Sequence, residues 1–187
     1  MSFEPNLDAD SMLLPREWQV WVNGPGKSSR GGKKQDPPPP ACHGGVRTVA
    51  DMWRLLNGFP KIKNISVDST VYAFVRGVEP RWEDPQNREG GRWSYVILNA
   101  NMALAADAWL NLCMGAFGGA LDGASEIVGI SMGRRKLFMR FSIWTKDRFL
   151  AETILMIGNR VKAELPATVA LEYQDHGAQF SDYRHKI

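Results

Sequence analysis

The chain has 187 residues, of which 44% are hydrophobic and 23% charged, and its net charge is +3. That size and balance suit one globular domain whose core needs neither disulfide nor metal, and the slight positive charge suits a phosphate-bearing ligand while excluding the charge density of unspecific duplex binding. Cys42 lies in a Pro/Gly-rich stretch and Cys113 in an apolar one, so no bridge and a reducing, cytoplasmic or nucleocytoplasmic setting are expected; residues 1–10 lack the order of a signal peptide, and no window reaches the roughly 18–20 apolar residues of a membrane span.

Residues 1–14 are expected to form a flexible arm and residues 15–187 one folded domain. A short strand is predicted at 17–22, with Trp18 and Val20 on one face. Residues 24–45 break all periodicity: Pro37 to Pro40, repeated Gly and the cations Lys27, Arg30, Lys33 and Lys34 predict a long loop, either mobile or a dedicated binding segment. Thr48 followed by Asp51 predicts a capping box. Val49, Met52, Trp53 and Leu56 continue it as a helix, which Gly58 and Pro60 end. Strands are expected at 71–75 and 93–98, joined by a long polar loop. A second helix near 107–118 has two apolar stripes, Trp109, Leu112, Cys113 and Ala116 on one side and Leu110, Met114 and Phe117 on the other. Such a helix is buried on both sides or docks a partner with the second. Residues 127–132 and 137–144 read as a hairpin about the basic turn Gly133-Arg134-Arg135-Lys136. A third helix from near Thr145 or Lys146 places Leu150, Ile154, Ile157, Val161 and Leu165 on one face until Pro166. A last strand at 169–173 precedes a polar tail. The predicted class is α+β, an antiparallel sheet with three helices on one face.

Seven tryptophans are present, more than a core of this size requires, so a few are available for an aromatic ligand site. The informative segment is Glu79-Pro80-Arg81-Trp82-Glu83-Asp84-Pro85-Gln86-Asn87-Arg88-Glu89-Gly90-Gly91-Arg92-Trp93. An indole offers a flat π surface on which a cationic heterocycle gains roughly 0.5–2 kcal/mol. A neighbouring carboxylate accepts two parallel N–H donors. Guanine presents that pair on its N1 and N2 edge, and methylation at N7 supplies the positive charge. An indole beside a carboxylate therefore fits 7-methylguanine better than any other common base, in the splayed-base mode of RNA recognition.

The run Trp82-Glu83-Asp84, then Asn87, then Gly90-Gly91-Arg92-Trp93, resembles the signature of the eukaryotic translation initiation factor 4E family, the mRNA 5′-cap-binding proteins. Trp18-x-x-Trp21, Thr48-Val49-x-Asp51-x-Trp53, Trp109-Leu110, Ile143-Trp144-Thr145 and Tyr173-Gln174-x-His176 resemble further blocks of the family, in its order, from about Leu14 to His176. The resemblance implies a curved antiparallel sheet of about eight strands with three helices on its convex face and the cap held on the concave one. It implies that Trp82 stacks on the base and donates its backbone N–H to the guanine oxygen, that Glu83 accepts the N1 and N2 donors, and that Trp144 packs near the N7 methyl group. Arg92 and the cations Arg134, Arg135 and Lys136 would face the triphosphate. Counting back from Trp144 puts Arg135 at the family's phosphate-binding arginine and Leu137 where a second cation is usual, for which Arg134 or Lys136 is expected to substitute.

The chain departs from the family in one larger respect. The second stacking tryptophan usually stands in the loop after the first strand, and residues 24–45 contain no aromatic residue. Cys42 and His43 are nearest; either the base stacks on one side only, or a proline ring, His43 or an arginine plane covers it. On the helical face the resemblance implies a groove at Val49, Trp53, Leu110, Met114 and Phe117 for a helical peptide from a 4G-type scaffold or a 4E-binding repressor. The implied function is binding capped mRNA and linking it to the translation machinery; the alternative is a weak-affinity paralogue acting as repressor. Neither metal-ligand spacing nor a phosphate-binding glycine loop occurs, and Asp175, His176 and Ser181 read as coincidence rather than a nucleophilic set. No cofactor, no enzymatic activity and no membrane partner are expected.

Overall fold

The structure, a computed structural model, describes residues 10–25, 39–121, 123–178 and 183–187. Strand alternation builds it. In β1 (Leu13–Asn23), Trp18 and Val20 are buried on one side, which turns Gln19 and Trp21 to the other. The same alternation runs through β4 (Gly91–Leu98), while β3 (Thr70–Val75), β5 (Ile127–Arg134) and β6 (Phe138–Thr145) bury residues on both sides. With β2 (Ala41–Thr48), β7 (Glu172–Asp175) and β8 (His185–Lys186) they form an eight-stranded open sheet in the order β2-β1-β3-β5-β6-β4-β7-β8. Every neighbouring pair is antiparallel.

Three helices, α1 (Val49–Gly58), α2 (Met102–Phe117) and α3 (Ala151–Ala163), cover one face. Met52, Trp109 and Ile157 from these helices share a single buried cluster with Trp18, Trp93, Ile130 and Phe141 from the sheet. α1 opens with the expected capping box: Thr48 Oγ1 accepts from Asp51 N at 3.0 Å, and the Asp51 carboxylate accepts from Thr48 N at 3.0 Å. Trp93 ties α3 down, donating from Nε1 to the Ile154 carbonyl at 2.8 Å. Gly158 is required beneath it, since a Cβ there would lie 2.4 Å from the indole. A smaller cluster, Phe74, Val78, Val128 and Trp144, lies on the bare side of the sheet.

Several boundaries differ from expectation. β1 begins at Leu13, inside the expected arm, because the chain before it is tied to the start of α1: Val49 N donates to the Met12 carbonyl at 2.9 Å, and Asp10 pairs with Arg54. Residues 41–45, assigned to the long loop, belong to β2. It is an edge strand whose residues 41–45 are all exposed, so backbone pairing with β1 forms it and no apolar alternation announces it. Residues 26–38 of that loop, with its cations and with Pro37 and Pro38, lie outside the described residues. α2 starts earlier than 107. α3 starts later than 145–146 because Asp147 turns the chain, accepting from Phe149 N at 2.8 Å. The last strand falls at Glu172–Asp175, since Leu171 and Ile187 exchange backbone hydrogen bonds and the tail returns as β8. No helix among the described residues is long and apolar enough to cross a membrane.

Candidate functional site

The loop joining β3 to β4 owes its shape to two buried polar residues. The Asp84 carboxylate accepts from Glu79 N at 2.9 Å and Gln86 N at 2.8 Å. Asn87, fully buried, donates from Nδ2 to the carbonyls of Arg81 at 2.7 Å and Glu79 at 2.8 Å. Backbone bonds from Asn87 and Arg88 to the Asp84 carbonyl close the turn. Gly90 and Gly91 seal its return, because a Cβ would fall 1.9 Å from the Thr145 carbonyl oxygen at the first and 2.5 Å from the Tyr173 hydroxyl at the second. What this scaffold holds outward is Trp82, 53% exposed, and Glu83, also exposed. Neither has a hydrogen bond, ion pair or ring contact among the described residues. Of two adjacent carboxylates, Asp84 is consumed by the loop and Glu83 is left free.

The bare face begins beneath this loop. Arg92 stands across from Trp144 in the β4–β6 register, its guanidinium 5.6 Å from the indole centroid. His176 covers the same indole at 4.4 Å between centroids, and Trp144 is only 6% exposed. Its Nε1 and the Nε2 of His176 are buried without a protein partner. Burial, with Arg92 and Arg148 nearby, pushes the His176 pKa down to about 3, so the ring over Trp144 is neutral. Arg92 has no carboxylate partner among the described residues. Burial first and Arg140 second lower its pKa. A desolvated cation beside another cation is a site that an anion relieves.

The four expected phosphate cations part company. Arg135 lies on the bare face by alternation with Ser131 and Gly133; its guanidinium donates to the carbonyls of Arg134 at 2.9 Å and Ser69 at 3.2 Å. Lys136 is exposed at the turn, which Asn99 stabilises through Nδ2 to the Lys136 carbonyl at 2.9 Å. Arg134 must be removed from the set. It shares the helix side with Ile130 and Met132, and its Nη1 is spent on the carbonyls of Lys63 and Ile65. The sequence reading missed Arg140, which shares the bare side of β6 with Trp144 and Ser142 and has no acidic partner among the described residues. Counting alternate residues back from Trp144 would have found it. Of the expected covers, His43 borders a cavity of about 250 Å³ against α1, with Asp51 and Arg54, so it does not serve the bare face. Cys42 pairs with Trp21 and shares its side.

On the helical surface Trp53 is 41% exposed, and Leu110 and Met114 are exposed, while Val49 packs partly into the core. Phe117 does not belong with them. It is fully buried and meets Trp18 edge to face at 5.2 Å, because the end of α2 turns that position onto β1.

An open antiparallel sheet with helices on one face, a displayed indole and carboxylate on the β3–β4 loop and guanidiniums without a carboxylate partner among the described residues on the bare face make up an α+β fold with a candidate binding site. Ascaris suum eIF4E-3 in complex with the m2,2,7G cap has this architecture, with a TM-score of 0.82 at 28% identity over 94% of this chain and 98% of that one. Caenorhabditis elegans eIF4E-3, in complex with the 4E-binding protein Mextli and a cap analog, is similar at a TM-score of 0.81 and 28% identity, over 94% and 99%. The chain belongs to the eukaryotic initiation factor 4E family, whose sequence model matches residues 13–186. Translation initiation factor 4E-1 of Schizosaccharomyces pombe is 30% identical over 132 residues, 69% of this chain and 61% of the relative. Isoform 4E of Arabidopsis thaliana is 28% identical over 172 residues, 87% and 81%. The matched part thus spans about three fifths of the fission yeast relative, and 51% of initiation factor 4E of Dictyostelium discoideum.

Proposed function

We propose that the chain binds the 7-methylguanosine 5′ cap of mRNA in the cytoplasm and links it to the translation initiation machinery. The observation that carries this reading is the displayed pair Trp82 and Glu83, unpartnered on a loop that Asp84 and Asn87 hold rigid. A site built in advance loses less to ordering when its ligand arrives. Trp82 stacks on the cationic base and Glu83 accepts its N1 and N2 donors. Trp144 packs near the N7 methyl group. Arg92, Arg135, Arg140 and Lys136 neutralise the triphosphate. The Ascaris suum relative in complex with m7G and m2,2,7G caps supports this assignment. The activity is binding without turnover, so release of product from a capped nucleotide by pure protein would contradict it.

The helical surface serves a second ligand. Val49, Trp53, Leu110 and Met114 receive a helical peptide from a 4G-type scaffold or a 4E-binding repressor, and the Mextli complex of the C. elegans relative supports a partner of this kind. A repressor of weaker cap affinity is the second reading, favoured by the absence of any aromatic residue in 24–45. Losing one aromatic face costs about 1–3 kcal/mol per stacked base. Retention on immobilised 7-methyl-GTP, with elution by 7-methyl-GTP and not by GTP, tests cap binding; equal elution by both refutes it. The proteins retained alongside separate the two roles: a large scaffold subunit for the first, small repressors without scaffold for the second, with Trp53→Ala abolishing either.

A further inference from the structure

One end of the sheet, where Thr70 pairs with Gly133, concentrates positive charge. Residues 61–70 and 133–137 hold five cations and one acid, Asp68, against a net charge of +3 for the whole chain, so the remainder carries no net positive charge. The two segments are fastened together. Arg134 Nη1 donates to the carbonyls of Lys63 and Ile65. Arg134 N donates to the Ser69 carbonyl and Asp68 N to the Arg134 carbonyl, each at 2.9 Å. Ile62 and Ile65 stand three apart at the 3-10 turn Ile62–Asn64, the spacing that puts side chains in line, and both are buried in the core cluster. That leaves Lys61 and Lys63 exposed. Lys136 is exposed two residues past Arg134, at most about 7 Å along the chain, and Arg135 carries the charge onto the bare face. Neither Lys61, Lys63 nor Lys136 has a carboxylate partner among the described residues.

We propose that Lys61 and Lys63 hold the phosphodiester backbone of the RNA body behind a bound cap, without reading its sequence. This role rests on the cap reading for how the RNA arrives, and it adds a surface which that reading leaves unused. Fixed charge of one sign on an exposed surface attracts a polyanion. Phosphate contacts position a nucleic acid and carry no base information. Residues 61–70 and 133–137 contain no aromatic residue on which a base could stack, so the contact is electrostatic and indifferent to sequence. Arg134 makes the lysines a built surface, since it ties their turn to the end of β5 instead of leaving it to swing. RNA is favoured over an acidic peptide because a captured cap already brings RNA phosphates to Arg135 and Lys136. The strand behind it then meets the lysines at a raised effective concentration, an advantage that a free peptide lacks.

The test titrates the full chain with 7-methyl-GTP and with a capped, unstructured RNA of about 16 nucleotides, over a range of salt. Wild type is compared with Lys61→Gln/Lys63→Gln and Lys61→Arg/Lys63→Arg. Each phosphate contact on a single strand contributes about 0.7 to the fall of log affinity with log salt. The glutamine variant should therefore flatten the RNA slope by about 1.4, and the arginine variant should keep it. Affinity for 7-methyl-GTP should stay the same in both. Arg47→Gln/Arg160→Gln removes the same charge from exposed positions elsewhere and should leave the RNA slope as it was. A slope unchanged in the glutamine variant, or flattened equally by the distant pair, overturns the proposal. An unchanged RNA slope together with lost binding of polyglutamate is the outcome of an acidic-peptide site, and it too overturns it. The same RNA without a cap, titrated at low salt, keeps the two readings apart. Failure of wild type to prefer 7-methyl-GTP over GTP refutes the cap reading, whereas flattening of the uncapped slope by the glutamine variant upholds the lysine surface regardless.

Discussion

The two sides of the β4–β6 ribbon are made from the same strands and do opposite things. On the helix side Trp93, Tyr95 and Ile97 meet Met139, Phe141 and Ile143, all buried in one cluster. On the bare side Arg92, Ser94 and Val96 meet Trp144, Ser142 and Arg140, with two guanidiniums that lack a carboxylate partner among the described residues. One side is finished within the chain and the other is left open. Trp93 and Trp82 state the contrast in single residues. The first is wholly buried with its N–H bonded to α3, and the second stands half in solvent with no hydrogen bond or ring contact among the described residues.

The largest effect should therefore separate those two tryptophans. Trp93→Ala should cost about 3–5 kcal/mol of stability in urea unfolding, whereas Trp82→Ala should stay within about 0.5 kcal/mol and yet lose most cap affinity. Comparable destabilisation by both would erase the distinction. Asn87→Ala comes next. It removes the side-chain donor to the carbonyls of Arg81 and Glu79 from a fully buried position, should cost about 1–3 kcal/mol, and should weaken cap binding although Asn87 touches no ligand. Retained affinity would mean that the loop needs no staple. The arginines follow: Arg92→Ala and Arg140→Ala should each weaken 7-methyl-GTP binding roughly tenfold at low salt and less at high salt. Arg134→Ala, being tied to Lys63 and Ile65 on the other side, should leave it unchanged.

The last effect concerns pH. The His176 pKa is pushed down to about 3 in the folded chain, against an ordinary value of about 6.5. Between those values the unfolded chain binds a proton that the folded chain refuses, so this residue's contribution to stability is complete above about 6.5 and falls as pH drops towards 3. The stability of His176→Gln relative to wild type should accordingly rise as pH is lowered through that window, read from urea midpoints. A constant difference would place the imidazole in water.

Much of the helix-covered side was legible in the sequence because burial writes itself as period. Val49, Met52 and Leu56 marked α1, and Ile154, Ile157 and Val161 marked α3. The capping box at Thr48 was readable for the same local reason. β2 was not, since an exposed edge strand is held by backbone bonds that leave no pattern in side chains. Phe117 and Arg134 failed for one shared reason. Helical spacing and chain position showed that each was available, but which side it faces is fixed by β1 for Phe117 and by residues 63–65 for Arg134. Arg140 was recoverable from alternation with Trp144, and His176 only from the fold that lays it on the indole. Trp82 and Glu83 stood out as a pair in the sequence, but their freedom from any partner is a property of the folded loop.

That freedom is the central claim, and tryptophan fluorescence tests it most directly. Wild type and Glu83→Ala are each titrated with 7-methyl-GTP and with GTP under the same salt. Wild type should be quenched by 7-methyl-GTP at concentrations at least tenfold below those GTP requires, and Glu83→Ala should bring the two curves together without loss of folded protein. Equal quenching of wild type by both nucleotides, or full discrimination retained by Glu83→Ala, would contradict the account.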